Sequence, residues 1–449
     1  MNLGELLPIL AATGHTLPDL AQTWTTACTD TRKLQKGDLF FALSGEHFDG
    51  HDFAEAAIAK GAVAVVGTRP LEGLPQILVD DALGAYQALA KWWRLKSHVT
   101  VIGITGSAGK TTTKEIVAAM LACYAPGAVH KSVANFNNDI GVAQTLLEIQ
   151  PHHRYVVLEM GMRGRGEIAR LAQMAQPNVG LITNIGTAHI GRLGSQQAIA
   201  EAKTELLANL APDQVAILNG EDDLLLAVAQ KYWQGRTITY GIERPCNLTG
   251  KLSQTHLTLG NHTFELPLAG RHNALNCLAG FAVLEALGLP WQTHPPTLAN
   301  LSLPNGRAQV INLLQGVTIL DQTYNASPEA TIAALKLLAA TPAARRWAIL
   351  GANRELGEYS WQLHYQIGQT WRELGIDRLL VLTDPEAEGI LAGAELSQPS
   401  TSYQELLATL LAQVQPEDCL LFKASNSVGM GKLVQQFCQA FSPVTTPAD

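Results

Sequence analysis

Long apolar runs, paired cysteines and an excess of positive charge are all missing from this chain of 449 residues. No stretch approaches the roughly 18 consecutive apolar residues of a membrane helix. Glu5 stands in the opening MNLGELLPIL, where a secretory leader would carry Lys or Arg. A cytoplasmic chain without a membrane span is the expectation. The six cysteines (Cys28, Cys123, Cys246, Cys277, Cys419 and Cys438) lie far apart and form no C-x-x-C pair. Reduced thiols therefore fit better than a disulfide framework or a zinc site. Lys and Arg total 31 against 39 Asp and Glu, a net charge of -8, the wrong sign for holding nucleic acid through its phosphates. No nucleic-acid partner is expected. A small anionic ligand stays open, because its site needs only local donors and a metal ion. There is no repeat of fixed period, and no low-complexity tract beyond the short tail PVTTPAD.

What is present is material for packed cores: 47% of residues are apolar and 16% charged, which excludes disordered and fibrous chains. At roughly 100 to 200 residues per domain, the length allows two to four domains. From residue 60 onward, short aliphatic runs alternate with Ala- and Leu-rich helical stretches. This is an α/β pattern of mostly parallel sheets covered by helices. Buried strands are predicted at 99–104, 155–158, 179–182, 215–218, 317–320, 347–350, 379–382 and 419–422. Nearly all run into polar residues at their carboxyl ends, where open α/β sheets bind ligands. Weak seams near 94–98 and 290–306 divide the chain into 1–97, 98–305 and 306–449.

The segment VTVIGITGSAGKTTTKEIVAAML reads as strand, Gly-rich turn and helix. Backbone N–H groups of Gly106, Ser107, Ala108, Gly109 and Lys110 can wrap a polyphosphate, with Lys110 reaching its terminal oxygens and Thr111 holding Mg²⁺. The spacing is a variant, since Ile104 occupies the position of the first glycine in the strict pattern. Glu159 follows YVVL at a strand end, where a Mg²⁺ ligand is wanted. His189, in TNIGTAHIG, is a second candidate at the same edge. Lys203 shares a helix face with Ala200 and Leu206, and spacing alone makes it an ordinary solvated lysine. Asn137-Asn138-Asp139, Asn219 with Glu221-Asp222, and Arg271-His272-Asn273 with Asn276 read equally well as helix caps and turns or as site residues.

Taken in order, GITGSAGKTTTKE, NNDIG, EMGMRGRGEI, TNIGTAHIGRLGS, EAKTELL, NGEDD, GRHNALNCLAG, Gly306-Arg307 and DQTYNASPEA resemble the Mur ligase family over essentially the whole chain. The resemblance implies a central P-loop-type domain flanked by a small amino-terminal α/β domain and a Rossmann-like carboxyl-terminal domain. It implies an ATP-dependent amide ligase of peptidoglycan precursor synthesis. Residues 29–53 resemble the uridine-nucleotide module of the members that add the third residue or the terminal dipeptide. TDPEAEG, where the diaminopimelate-adding members carry Asp-Asn-Pro-Arg, points to the dipeptide branch. The implied partners are UDP-N-acetylmuramoyl-tripeptide and D-alanyl-D-alanine, and a monomer is expected.

By the same resemblance, Thr111 and Glu159 hold Mg²⁺ with the ATP phosphates, and His189 with a carbamylated Lys203 helps place a second. Lys110, Glu159, His189 and Lys203 then form the catalytic set. Thr105 and Thr112 complete the phosphate loop, Asn273 and Asn276 face adenine, and Arg307 and Asp321 close on ATP. The nucleotide-sugar set is Asp30, Thr31, Arg32, Ser44, Asp49, Gly50 and His51, extended by Asn137, Asn138 and Thr187. Tyr324 and Asn325 lie near the dipeptide. The last domain departs from the pattern, with Gly351-Ala352-Asn353-Arg354 before Glu355-Leu356-Gly357 and Lys423-Ala424-Ser425-Asn426 in place of KGSR. Lys423 and Arg354 are the candidates left to hold the dipeptide carboxylate. Folylpolyglutamate synthetase shares the loop and chemistry but lacks a module like 29–53, and a non-catalytic scaffold has no need of Lys110, Thr111, Glu159, His189 and Lys203 together.

Overall fold

The computed structural model describes residues 1–45, 48–298, 301, 303–304, 306–307, 309–397 and 400–441. The tail 443–449, part of the seam 290–306 and residues 46–47 of the uridine module lie outside the described residues. Three sheets follow one another along the chain.

The first has five strands, ordered Gly14–His15, Gln76–Leu78, Ala64–Gly67, Leu39–Phe41 and Ala27–Cys28, parallel except at the Gly14–His15 edge. The second has nine. Its parallel core runs Arg236–Gly241, Val215–Asn219, Val179–Ile182, Thr100–Thr105, Tyr155–Glu159 and Val129–Lys131, and a hairpin extends the edge beyond Leu248–Ser253. The third is again five-stranded, with Gln309–Asn312 antiparallel at one edge. All eight expected strands are present, most of them buried throughout. Their near-continuous apolar runs reflect a sheet covered on both faces.

One face of the central sheet packs Ile116, Val117, Met120 and Leu121 of helix Lys110–Tyr124 against Leu278 and Phe281 of helix Arg271–Ala286. The other face is continuous with the core of the first domain. Leu39, Phe41, Tyr86 and Leu89 belong to the same buried cluster as Val142, Leu146, Leu171 and Leu206. The seam at 94–98 is tightly bound. Helix Ala82–Lys96 ends there, and buried Arg94 donates to the carbonyls of Ala175 (2.9 Å) and Gln176 (3.0 Å) and to Asn178 Oδ1 (3.1 Å). The third domain keeps two cores of its own, one on each face of its sheet.

Candidate active site

Strand Thr100–Thr105 lies between Tyr155–Glu159 and Val179–Ile182. Its carboxyl end therefore opens between Glu159 and Thr183. Gly106 (φ +150°) and Gly109 (φ +81°) take conformations that favour glycine, and a Cβ on Gly106 would lie 1.9 Å from Thr183 Oγ1. Asn184 shapes the loop further. Its backbone carbonyl accepts the Ser107 N–H (3.0 Å) and its Oδ1 the Ala108 N–H (2.9 Å). These two amides are already used, so a phosphate bound here takes N–H groups at the helix start or displaces Asn184. Ser107 Oγ instead accepts the Gly186 N–H at 2.8 Å, and Thr105 Oγ1 is buried without a partner.

Lys110 Nζ donates to Gly106 O at 2.8 Å. Burial lowers the Lys110 pKa, with Glu159 opposing and Arg307 reinforcing the fall. The buried Thr111 hydroxyl donates to Glu159 Oε2, while Asn137 Nδ2 donates to Oε1 at 2.8 Å. Asn276 Oδ1 accepts from Thr113 Oγ1 at 3.1 Å and lies 2.7 Å from where a Cβ on Gly109 would stand. Asn273 turns back onto Ala269 O at 2.7 Å.

Lys203 is not a solvated lysine. It is 1% exposed, and burial, then Lys110, holds its pKa well below the ordinary value. Helix Gln196–Ala208 buries the face bearing Ala200, Lys203 and Leu206, so the apolar spacing marked a covered face. His189, in a left-handed conformation (φ +68°), is pulled towards the neutral form by burial and by Lys110 and Lys203. Its Nδ1 bonds Glu355 Oε2 of the third domain.

The remaining candidates divide by place. Arg307 lies 3.8 Å from the centre of the Tyr324 ring, and Asp321 accepts from the backbone and hydroxyl of Thr323 (3.0 and 2.7 Å). Buried Lys423 donates to Asn325 O at 3.0 Å, and burial, then Arg307, brings its pKa down to about 8. Arg354 is already paired with Asp384 and Glu386, whereas Lys423 forms no direct ion pair among the described residues and feels only the opposing field of Asp321. In the first domain, Asp30 and Arg32 pair at 2.8 Å, which with a backbone bond lowers the Asp30 pKa to about 2. Thr31 O accepts from Lys60 at 2.8 Å. Asp49 accepts from Ser44 Oγ (3.1 Å) and His51 (N 3.0 Å, Nδ1 2.6 Å), while His51 Nε2 accepts the Thr68 N–H at 3.0 Å. Gly50 leaves no room for a side chain, since a Cβ would sit 2.5 Å from Leu43 O. Lys33 over the Phe136 ring (5.8 Å) brings the Asp30 turn to the segment carrying Asn137.

Asn138 and Asp222 are helix caps. Two acids escaped the sequence reading as site residues. Glu355 was visible only as part of a motif, and Glu329, at the start of helix Pro328–Ala340, accepts the Thr187 N–H at 2.6 Å across the domain junction.

Models of the Mur ligase family match along the chain: its catalytic domain at 25–120, its middle domain at 104–284 and its glutamate ligase domain at 306–426. The chain is 51% identical over 416 residues, 91% of both chains, to the UDP-N-acetylmuramoyl-tripeptide--D-alanyl-D-alanine ligase of Synechocystis. The chain belongs to the Mur ligase family. This Mur ligase is also similar to crystal structure I of MurF from Acinetobacter baumannii, with a TM-score of 0.89, 30% identity and 98% of both chains covered. It resembles the MurF ligase of Thermotoga maritima in complex with ADP, with a TM-score of 0.83, 28% identity, and 94% of this chain and 98% of that one covered.

Proposed function

We propose that this chain is an ATP-dependent amide ligase that adds D-alanyl-D-alanine to UDP-N-acetylmuramoyl-tripeptide through an acyl phosphate, giving the UDP-MurNAc-pentapeptide precursor of peptidoglycan. It acts in the cytoplasm as a monomer, with 1–97 taking the nucleotide sugar, 98–305 ATP and 306–449 the dipeptide. One observation carries the reading. Lys110, at the mouth of the phosphate loop, lies within electrostatic reach of Glu159, Arg307, His189 and Lys203, which gathers these candidates around one anion-binding loop in a chain half identical to such a ligase. Among the described residues no helix is long and apolar enough to cross a membrane.

The residues suit magnesium. Thr111 Oγ1 and the buried Glu159 carboxylate are hard oxygen donors side by side, and Mg²⁺ prefers one or two carboxylates completed by phosphates and water. Mg²⁺ held there would neutralise phosphate charge. Lys203 suits carbamylation, since burial favours the neutral amine that attacks CO₂, and the proton released passes to solvent. A lysine carbamate is then a carboxylate-like ligand beside His189.

A free carboxylate resists amine attack because it is anionic and its oxygen leaves poorly. Transfer of the γ-phosphoryl group to the tripeptide carboxylate makes phosphate the leaving group. Lys110 supplies positive charge during that transfer, and the third domain carries the dipeptide amine into line while excluding water. Asn273, Asn276, Arg307 and Asp321 serve ATP, the Asp30–Arg32 and Ser44–His51 clusters with Asn137, Asn138 and Thr187 the uridine substrate, and Tyr324, Asn325 and Lys423 the dipeptide. The test is phosphate release with ATP, UDP-muramoyl-tripeptide and D-alanyl-D-alanine, each omitted in turn. Release should require all three; equal release without the dipeptide or without the uridine substrate refutes the reading.

A further inference from the structure

A cleft of about 450 Å³ lies between the central and third domains. Its apolar wall is Ile190, Pro328, Ile332 and Leu363, and none of its lining residues is Lys, Arg or His. Thr187 and Glu329 also line it. Glu329 Oε1 accepts the Thr187 N–H at 2.6 Å, yet Glu329 Oε2 and Thr187 Oγ1 are both buried without a partner. A buried unpaired carboxylate oxygen is costly, so Oε2 calls for a donor, and the second orphan belongs to the residue that already bonds Oε1. A carboxylate can only accept, while a hydroxyl donates or accepts, so the pair suits a group rich in hydrogens, and opposite charge favours a cation among the groups the substrates carry. An ammonium is both.

The proposed substrates offer two amines. The dipeptide amine is the reacting nucleophile and has to reach the acyl phosphate unprotonated, so it is not the group held as an ammonium on Glu329. The other is the side-chain amine of the diamino acid at the third position of the acceptor tripeptide, carried on an aliphatic stem. Resting on the ligase reading above, we infer that this cleft receives that side chain, its methylenes on the apolar wall and its terminal ammonium on Glu329 Oε2 and Thr187 Oγ1. Glu329 is thus a specificity-determining residue.

Phosphate release is measured with the full chain and UDP-muramoyl-tripeptides ending in diaminopimelate or lysine. The better of the two is then compared with the same compound acetylated on the terminal nitrogen. The wild type should show a KM about tenfold or more higher for the acetylated acceptor, the scale of a hydrogen bond to a charged group. Glu329→Gln keeps the bond to Thr187 through its carbonyl and removes only the charge. It should raise KM for the amine-bearing acceptor about tenfold, abolish the discrimination, and leave kcat and the KM values for ATP and D-alanyl-D-alanine within twofold. The inference fails if the wild type does not discriminate, if Glu329→Gln still does, or if its KM rises for the dipeptide instead. It also fails if kcat falls equally with both acceptors, the mark of a domain contact. No turnover of either free-amine acceptor by the wild type would overturn the ligase reading itself.

Discussion

The central domain meets its two neighbours in opposite ways. Towards the first domain it shares one apolar core, with Tyr86 and Leu89 in the same cluster as Val142 and Leu206, and Arg94 fastens the connection to three acceptors. Towards the third domain the cluster gains buried Leu356, with Tyr359 and Leu363 partly buried at its edge. Much of the remaining contact is polar or backbone: Glu329 on Thr187, Glu355 on His189, Tyr359 OH on Gly194 O at 2.9 Å, and Gly191 N on Glu355 O at 3.1 Å. Apolar burial is lost outright when a contact opens, whereas polar contacts exchange for water at a net cost of about 0.5–1.5 kcal/mol each. The first junction therefore resists opening more than the second, and the phosphate loop faces the second.

If the reacting groups sit at the second junction, losing them should cost activity and not stability. Lys110→Ala should lower kcat by about 10³-fold, the scale of removing a preorganised charge-stabilising donor, with an unchanged thermal midpoint. An active variant would remove the phosphate-loop assignment. Lys203→Ala should lose about 10²-fold or more and recover in part with added small carboxylates, because only the carbamate can serve as ligand. Intact mass of the native protein should show an added CO₂ on the wild type only. A wild-type rate in the variant would defeat the idea.

The junctions themselves are separated by a pair of substitutions. Leu89→Ala, in the shared core, should cost about 2–5 kcal/mol in urea unfolding with KM values unchanged. Tyr359→Phe removes one hydroxyl contact to Gly194 and should cost at most about 1 kcal/mol, while shifting KM for the dipeptide severalfold. Equal stability losses, or a KM effect from Leu89→Ala, would erase the contrast drawn between the two junctions.

The strands, the phosphate loop and the order of the motifs were legible because each rests on local pattern: apolar runs bounded by polar exits, and Gly-Lys-Thr before a helix. Lys203 was not, since its helix face carries alanine and leucine whether it meets water or a sheet, and only the tertiary packing decides. Glu329 and Glu355 were harder still. Each gains its partner from a different domain, Thr187 and His189 being over a hundred residues away, and no periodicity reports a contact at that separation. The Asn184 clamp on the phosphate loop is hidden for a related reason, as a strand-exit asparagine reads equally well as a turn.

Lys423 offers the finest test of the second junction, because stability and dipeptide binding should respond to pH with opposite signs. Its pKa is about 8 against an ordinary 10.5. Between those values the unfolded chain binds the proton that the folded chain has released, so this group makes stability rise with pH across the window. In the folded chain the ammonium that would hold the dipeptide carboxylate is lost around pH 8, so KM for D-alanyl-D-alanine should climb severalfold from about pH 7 to about pH 9. The dipeptide's own amine also titrates near pH 8, and Lys423→Met provides the correction. The variant should start with a high KM and lose the part of the pH dependence that belongs to the protein. Matching KM profiles for the two proteins would take the dipeptide carboxylate away from Lys423 and leave the lysine a purely structural bond to Asn325.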